Sequence, residues 1–222
     1  MLKKMIPLTV IAAAAFLASS CQKQNEETTF VPSSSSKAVV ALVPVIDNSH
    51  HDLSWSLSEE FTYSIYERLA QKNQLYLIEE QKVRSVSKKL PENCNPFDQD
   101  LQWVKKAFSE NDFVVFLELV DHQENSIRGQ RKSSPRDCPA ELNMSMRIRV
   151  IDIRESEPKI VLQELIQDSH HIPKQFTRYN FNQVAWGETS YSISPLGLAH
   201  AQLSKEIANR ITEYILIAKN KK

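Results

Sequence analysis

The chain predicts an α/β fold, a mixed sheet with helices packed on it in the order β-α-β-α-β-β-β-α, and three features of the sequence predict it. Two short valine-rich runs, "AVVALVPVI" (38–46) and "DFVVFLELV" (112–120), are apolar at nearly every position, as strands buried on both faces are. Two longer stretches repeat apolar residues every three or four positions, the period of a helix with one buried stripe. "LNMSMRIRVIDI" (142–153) alternates instead: Leu142, Met144, Met146, Ile148 and Val150 face one way, and Ser145, Arg147 and Arg149 the other. Strands interleaved with amphipathic helices form a sheet that the helices cover.

Taken in order, the first strand closes on turn chemistry at Asp47-Asn48-Ser49. Ser56-Leu57-Ser58-Glu59 then matches a capping box, and Leu57, Phe61, Ile65 and Leu69 give the stripe of the first helix. "QLYLIEE" (74–80) reads as a second strand and "EEQKVRSVSKKL" as a short helix. Asp98 is placed to cap a further helix through Ser109, with Leu101, Val104 and Phe108 inward. The strand 112–120 comes next, then 142–153, and "PKIVLQELIQ" (158–167) returns antiparallel after the turn-like "RESE". Ser194 and Pro195 suit the first positions of a last helix, in which Leu196, Ala199, Leu203, Ile207, Ile211, Tyr214 and Ala218 recur at helical spacing.

Lys and Arg number 27 against 27 Asp and Glu, so the basic excess of a dedicated nucleic-acid binder is missing. The three glycines, Gly129, Gly187 and Gly197, are too scattered for a phosphate-cradling loop, and no nucleotide is expected. At the amino terminus, basic Lys3 and Lys4 precede an apolar run from Ile6 to Ala18 and the small residues Ala18-Ser19-Ser20, the layout of a secretory signal over 1–20. That run is shorter than the ~20 residues a spanning helix requires. A cysteine where cleavage would fall, Cys21, resembles the lipobox of bacterial lipoproteins, although Ala18 stands where leucine is commoner. The alternative is an ordinary cleaved signal with an incidental cysteine. The resemblance implies a covalent lipid on Cys21 as membrane anchor and, with Gln22 in place of aspartate behind it, the outer membrane. Residues 22–36, "QKQNEETTFVPSSSS", have the composition of a flexible tether, which leaves 37–222 as the domain facing the periplasm.

Cys94 and Cys138, both in proline-flanked loops, are then an even pair in an exported protein: a possible disulfide, or two thiols. No further ligands at regular spacing accompany them, so no metal is expected. The histidines His50-His51, His170-His171, His122 and His200 read as solvated loop residues, and Glu59-Glu60 as a solvated carboxylate pair at an element end. No nucleophile elbow and no metalloprotease motif is found, so no catalytic residue is assigned and an enzyme is not expected.

The wording of the elements resembles a superfamily of bacterial envelope proteins: the curli-secretion lipoproteins, the lipoprotein activators of penicillin-binding proteins and the amino-terminal domain of the Tol-system propeller protein. "VVALVPVIDNS" is similar to their first strand and turn, "LYLIEEQKVRSV" to their second strand and the acidic start of the element behind it, and "NDFVVFLELV" to their third strand. "MRIRVIDIRESEPKIVL" resembles their strand-turn-strand unit and "GLAHAQLSKEIANRITEYI" their closing helix. Glu155-Ser156 replaces the Thr-Gly type of turn. The resemblance implies a non-enzymatic binding or assembly module docked on an envelope partner, a peptidoglycan synthase or secretion machinery, or alternatively a subunit of an oligomeric export channel.

Two long connections are candidate docking surfaces, or else loops that are merely solvated or cover the core. The first, His122 to Glu141, carries Arg128, Arg131, Lys132 and Arg136, a patch suited to an acidic surface. The second, His170 to Ile193, holds Phe176, Arg178, Tyr179, Phe181, Trp186 and Tyr191, the residue types that anchor protein interfaces.

Overall fold

The computed structural model of the protein describes residues 37–91, 94–127, 138–177 and 185–221. Cys21, with the expected signal and tether, lies outside them. Pro44 divides the first apolar run into two strands, β1 (Val39–Leu42) and β2 (Ile46–Asp47), because it brings no N–H to the ladder. The groups freed beside it are taken up by the next element: Thr62 Oγ1 accepts from Val45 N at 2.9 Å, and Ser58 Oγ donates to Val45 O at 2.5 Å. Both belong to α1 (Leu57–Lys72), whose cap is the expected Ser56, accepting from Glu59 N at 3.2 Å. The chain continues through β3 (Tyr76–Leu77), α2 (Glu80–Ser87), α3 (Gln102–Ala107), β4 (Phe113–Ser126), β5 (Ala140–Asp152) and β6 (Lys159–Ile172). A short helix α4 (Thr189–Ser192) leads into α5 (Pro195–Asn220), capped by Ser194.

The sheet is mixed, as expected, in the order β3-β1-β4-β5-β6, with β2 also beside β4. β1 runs parallel to β3 and β4, whereas β4, β5 and β6 form an antiparallel meander. α1 and α5 cover one face, closing the main core around Phe61, Ile65, Met146, Ile148, Leu203 and Ile207. α2 and α3 cover part of the other face with a smaller core around Val83, Val104, Phe108, Val114 and Phe116. Among the described residues no helix is long and apolar enough to cross a membrane.

Three expectations are corrected here. α3 begins after Leu101, and Asp98 does not cap it, because the loop ahead of α3 is held down on the sheet by Arg149. That guanidinium donates to Pro96 O at 2.8 Å and Asp98 O at 2.7 Å, reaches Gln163 Oε1 at 2.5 Å, and lies over the Phe97 ring. Second, the alternation of β5 predicts a strand covered on one face only, whereas its outer face is covered at Arg149, which is only 5% exposed. Third, Cys94 and Cys138 are not joined by a disulfide. Cys94 belongs to the loop docked on Arg149, whereas Cys138 precedes Ala140, nine residues back along β5. At ~3.3 Å per residue the two sites lie about 30 Å apart along the strand, and a disulfide requires Cα atoms within about 7 Å.

Candidate functional site

The two long connections are shorter than the sequence suggests, since β4 runs on to Ser126 and β6 to Ile172. Arg128, Arg131, Lys132 and Arg136 of the first, and Arg178, Tyr179 and Phe181 of the second, lie outside the described residues. The three described aromatics of the second, Phe176, Trp186 and Tyr191, pack on the main core. Tyr191, expected as a candidate contact for a partner, is only 6% exposed.

Within the core, Tyr191 meets a buried carboxylate. Its hydroxyl donates to Glu60 Oε1 and stands 2.7 Å from His200 Nδ1. His200 Nδ1 is itself 2.9 Å from Glu60 Oε1, and Trp55 Nε1 donates to Glu60 Oε2 at 2.7 Å. On the far side of the His200 ring, its Nε2 faces His122 Nε2 at 2.9 Å. His51 meets the His122 ring edge-on at 5.9 Å and holds Asp47 Oδ2 at 3.1 Å from its Nε2. A chain of polar groups, Asp47–His51–His122–His200–Glu60–Tyr191, thus runs through the apolar layer beneath α1 and α5.

The reading of His122, His200 and Glu60 as solvated is overturned by their exposures of 6%, 2% and 3%. For Glu60 and His200 a signal was present. Glu60 stands on the stripe between Leu57 and Phe61, and His200 between Ala199 and Leu203, each a polar residue on the buried face of its helix. His122 had no such signal. The β4–β5 register shifts between Leu119 and Asp121, so Val120 is an extra residue and the alternation of β4 reverses after it. This bulge turns His122 inward opposite Met144, where an unbroken strand would have turned Asp121.

Burial alone would raise the Glu60 pKa, but the hydrogen bond and charge of His200, with the donors of Tyr191 and Trp55, outweigh it and hold the carboxyl below its usual range. Burial and the neighbouring Glu60 charge push the Tyr191 phenol upward, so it stays a donor. Burial, reinforced by His200 and His51, pushes His122 down to about 3 and keeps it neutral. One proton then lies between the two facing Nε2 atoms, and a neutral His122 gives or takes it as His200 requires. Every hydrogen bond at Glu60 joins a different segment: Trp55 from the β2–α1 loop, Tyr191 from α4, and His200 from α5. The cluster is a buried clasp that fixes those segments around one carboxylate.

The clasp forms the inner wall of a groove of about 580 Å³ between α1 and the α4–α5 junction. Ser64, Glu67 and Arg68 line one side of it, and Trp186 and Glu188 the other. Tyr63, 53% exposed, meets the Trp186 ring edge-on at 6.1 Å on its rim. Ile193 and Leu198, neighbours of the lining residues Ser192 and Gly197, are also exposed. Among the described residues no group of three or more His, Cys, Asp or Glu is placed to hold a metal ion.

Gly197 permits the close approach of α4 to α5: a Cβ there would lie 2.0 Å from Tyr191 O. Alanine is the better helix former by ~1 kcal/mol, yet Gly197→Ala is expected to lower stability in urea denaturation by about 2 kcal/mol as the α4 backbone is forced away.

A family model described as a family of unknown function (DUF7499) matches residues 26–219. No curated protein matches the chain. Among solved structures, the hypothetical protein CT253 from Chlamydia trachomatis is 23% identical, with a TM-score of 0.64 over 81% of this chain and 98% of that one. The two share a fold. More distant are the lipoprotein GNA1162 from Neisseria meningitidis, 14% identical with a TM-score of 0.41 over 78% and 99% of the chains, and the LpoB C-terminal domain from Salmonella enterica, 12% identical with a TM-score of 0.35 over 61% and 86%.

Proposed function

The chain belongs to the family of unknown function DUF7499, and we propose that it is a lipoprotein of the bacterial outer membrane whose periplasmic domain docks, without catalysis of its own, on an envelope protein partner. The observation that carries this reading is the amino-terminal order Lys3-Lys4, apolar Ile6 to Ala18, Ala18-Ser19-Ser20 and then Cys21. The polar stretch 22–36 separates that cysteine from the folded domain, which suits a tether. Several acyl chains at one cysteine would hold such a domain stably at a bilayer, where a single chain would not.

The docking face this reading favours is the groove rim. Tyr63 and Trp186 offer aromatic contacts between Glu67 and Glu188, the combination of apolar centre and polar surround that interfaces use. Cys21→Ser is expected to release the protein from the membrane fraction and abolish acylation by labelled fatty acid; a variant equally acylated and membrane-bound defeats the anchoring. For the docking, photo-crosslinkers at positions 63 and 67 are expected to trap one envelope protein in cells, and one placed at Gln163, on the opposite side of the sheet, is not. Equal capture from all three positions would remove the groove rim as the docking face.

A further inference from the structure

The clasp joins two cavities. Glu60 and Tyr191 line the groove between α1 and the α4–α5 junction, and at the other end of the polar chain His51 and His122 line a cavity of about 320 Å³ together with His50, Asp52 and Glu124. From His51 to the groove the contacts are the ring edge at 5.9 Å, the two Nε2 atoms at 2.9 Å, and His200 Nδ1 at 2.7 Å from the Tyr191 hydroxyl. The facing Nε2 atoms share one proton; a second sets donor against donor, and one ring must leave. His122 is held by its strand, since β4 is paired with β5 from Phe113 to Ser126. His200 sits on the second turn of α5, and that end of the helix forms one unit with α4: Ser194 N and Oγ donate to Tyr191 O at 2.9 and 2.7 Å, and Gly197 N donates to Ser194 Oγ at 3.0 Å. The one buried residue of α4 is Tyr191, and in front of the helix Gly187, at φ +98° in open space, provides a turning point.

We propose that α4 is an acid-released latch: a second proton on the His122–His200 pair drives His200 away from β4, and the α4–α5 unit carries Tyr191 off Glu60 with it, opening the groove wall at Trp186 while the sheet stays in place. The groups that face His122 are His51, from the loop before α1, with Asp47 bonded behind it and His50 and Asp52 in the same cavity; Glu60 from α1; His200 from α5, with Tyr191 of α4 beyond it; and Glu124 on its own strand. Opposite it on β5 stands the uncharged Met144, and across that residue Asp168 of β6 is bonded to His170 at 3.0 Å. His200 and His51 oppose a charge on His122, Glu60 favours it, and burial adds to the opposition. Opening removes both the burial and the facing His200, while water from the groove reaches the Glu60 carboxylate. His122 then returns from about 3 towards its ordinary 6.5, so the closed form is fully favoured above pH 6.5 and loses ground below it. The ratio of open to closed rises by up to about ten-fold per pH unit there, about thirty-fold between pH 7.5 and 5. The latch rests on the clasp alone and stands or falls apart from the lipid anchor and the docking partner.

The test uses the three tryptophans of the chain: Trp55 and Trp186 lie at the clasp and the groove, and Trp103 packs against Phe116 on the opposite side of the sheet. The full chain carrying Cys21→Ser is labelled with 5-fluorotryptophan and followed by 19F saturation transfer. An open form is expected at Trp55 and Trp186, its ratio to the closed form rising about thirty-fold from pH 7.5 to 5 with Trp103 unchanged. His122→Gln takes up no second proton, so its ratio is expected to stay constant over the same range. Tyr191→Phe, which unfastens α4 from Glu60 and leaves both imidazoles in place, is expected to show the open form already at pH 7.5. A ratio at Trp186 that does not respond to pH, or responds as much in His122→Gln, overturns the latch. So does an acid change shared equally by Trp103, which is unfolding of the whole domain, or a Tyr191→Phe protein that stays closed at pH 7.5.

Discussion

Glu60→Gln is expected to lower the unfolding free energy by about 3 kcal/mol while leaving the fold intact. The two side chains have nearly the same shape, so packing around position 60 hardly changes. What changes is the count of donors and acceptors. Glu60 accepts from Trp55 Nε1 on one oxygen and from the Tyr191 hydroxyl on the other, with His200 Nδ1 at 2.9 Å. A glutamine can turn its oxygen to one of these sets only, and its amide then points two hydrogens either at the donor-only Trp55 N–H or at a Tyr191 hydroxyl that must give up its own bond to position 60 to accept them. The charge that made these bonds strong is lost as well. Tyr191→Phe removes one of the competing donors, so in that background Glu60→Gln is expected to cost at least ~1 kcal/mol less. Guanidinium denaturation of the four proteins checks both figures. Strict additivity, or a loss below 1 kcal/mol for the single variant, would mean that the clasp does not hold the structure.

The same residues show how far the sequence could be read. Hydrophobic period alone locates α1, α5 and the β5–β6 pair, because each has one strongly apolar face and a local stop signal: Ser56, Ser194 with Pro195, or a turn. Their order then suffices for a mixed sheet with helices on it, the observed architecture. Where the reading went astray, a non-local contact decided. Val45 can leave the β1 ladder because Ser58 and Thr62, more than a dozen residues on, take its backbone groups. Asp98 gives up a helix cap because Arg149, some fifty residues away, takes its carbonyl. Neither partner can be inferred from local pattern.

The candidate site was less legible for a related reason. A glutamate or histidine on an apolar stripe is visible in the sequence, but its meaning depends on what faces it across the core. Glu60, Tyr191 and His200 come from three segments; taken singly, Glu60 and His200 look solvated and Tyr191 looks like an interface anchor or a cover on the core, yet all three are buried. Of the two alternatives for the aromatic-rich connection before α5, the described part takes the one in which Phe176, Trp186 and Tyr191 cover the core. The face left open there is made by their neighbours and by Tyr63 on α1.

Neutral His122 makes the protein sensitive to acid well above the carboxylate range. Its pKa is about 3 in the folded protein, pushed down from 6.5 by burial and by His200 and His51. Between those values the unfolded chain binds a proton that the folded one refuses. The contribution of His122 is therefore fully present above pH ~6.5 and is lost as the pH falls, with a slope approaching ~1.4 kcal/mol per unit. From pH 6.5 to 4.5 the loss amounts to about 2 kcal/mol. Glu60 adds to it at lower pH: its depressed pKa stabilises the fold above the ordinary carboxylate value and ceases to do so as the pH drops through the folded value. His122→Gln separates the two, because the amide can still pair with His200 Nε2, as donor or as acceptor, but does not titrate. The variant is expected to be the less stable protein at pH 7, with the gap from the parent closing by about 2 kcal/mol by pH 4.5. Histidines that do not touch His122 drop out of the difference. Denaturation curves that stay parallel over this range would show that His122 is protonated in the folded state after all, and that the clasp opens to solvent at His51.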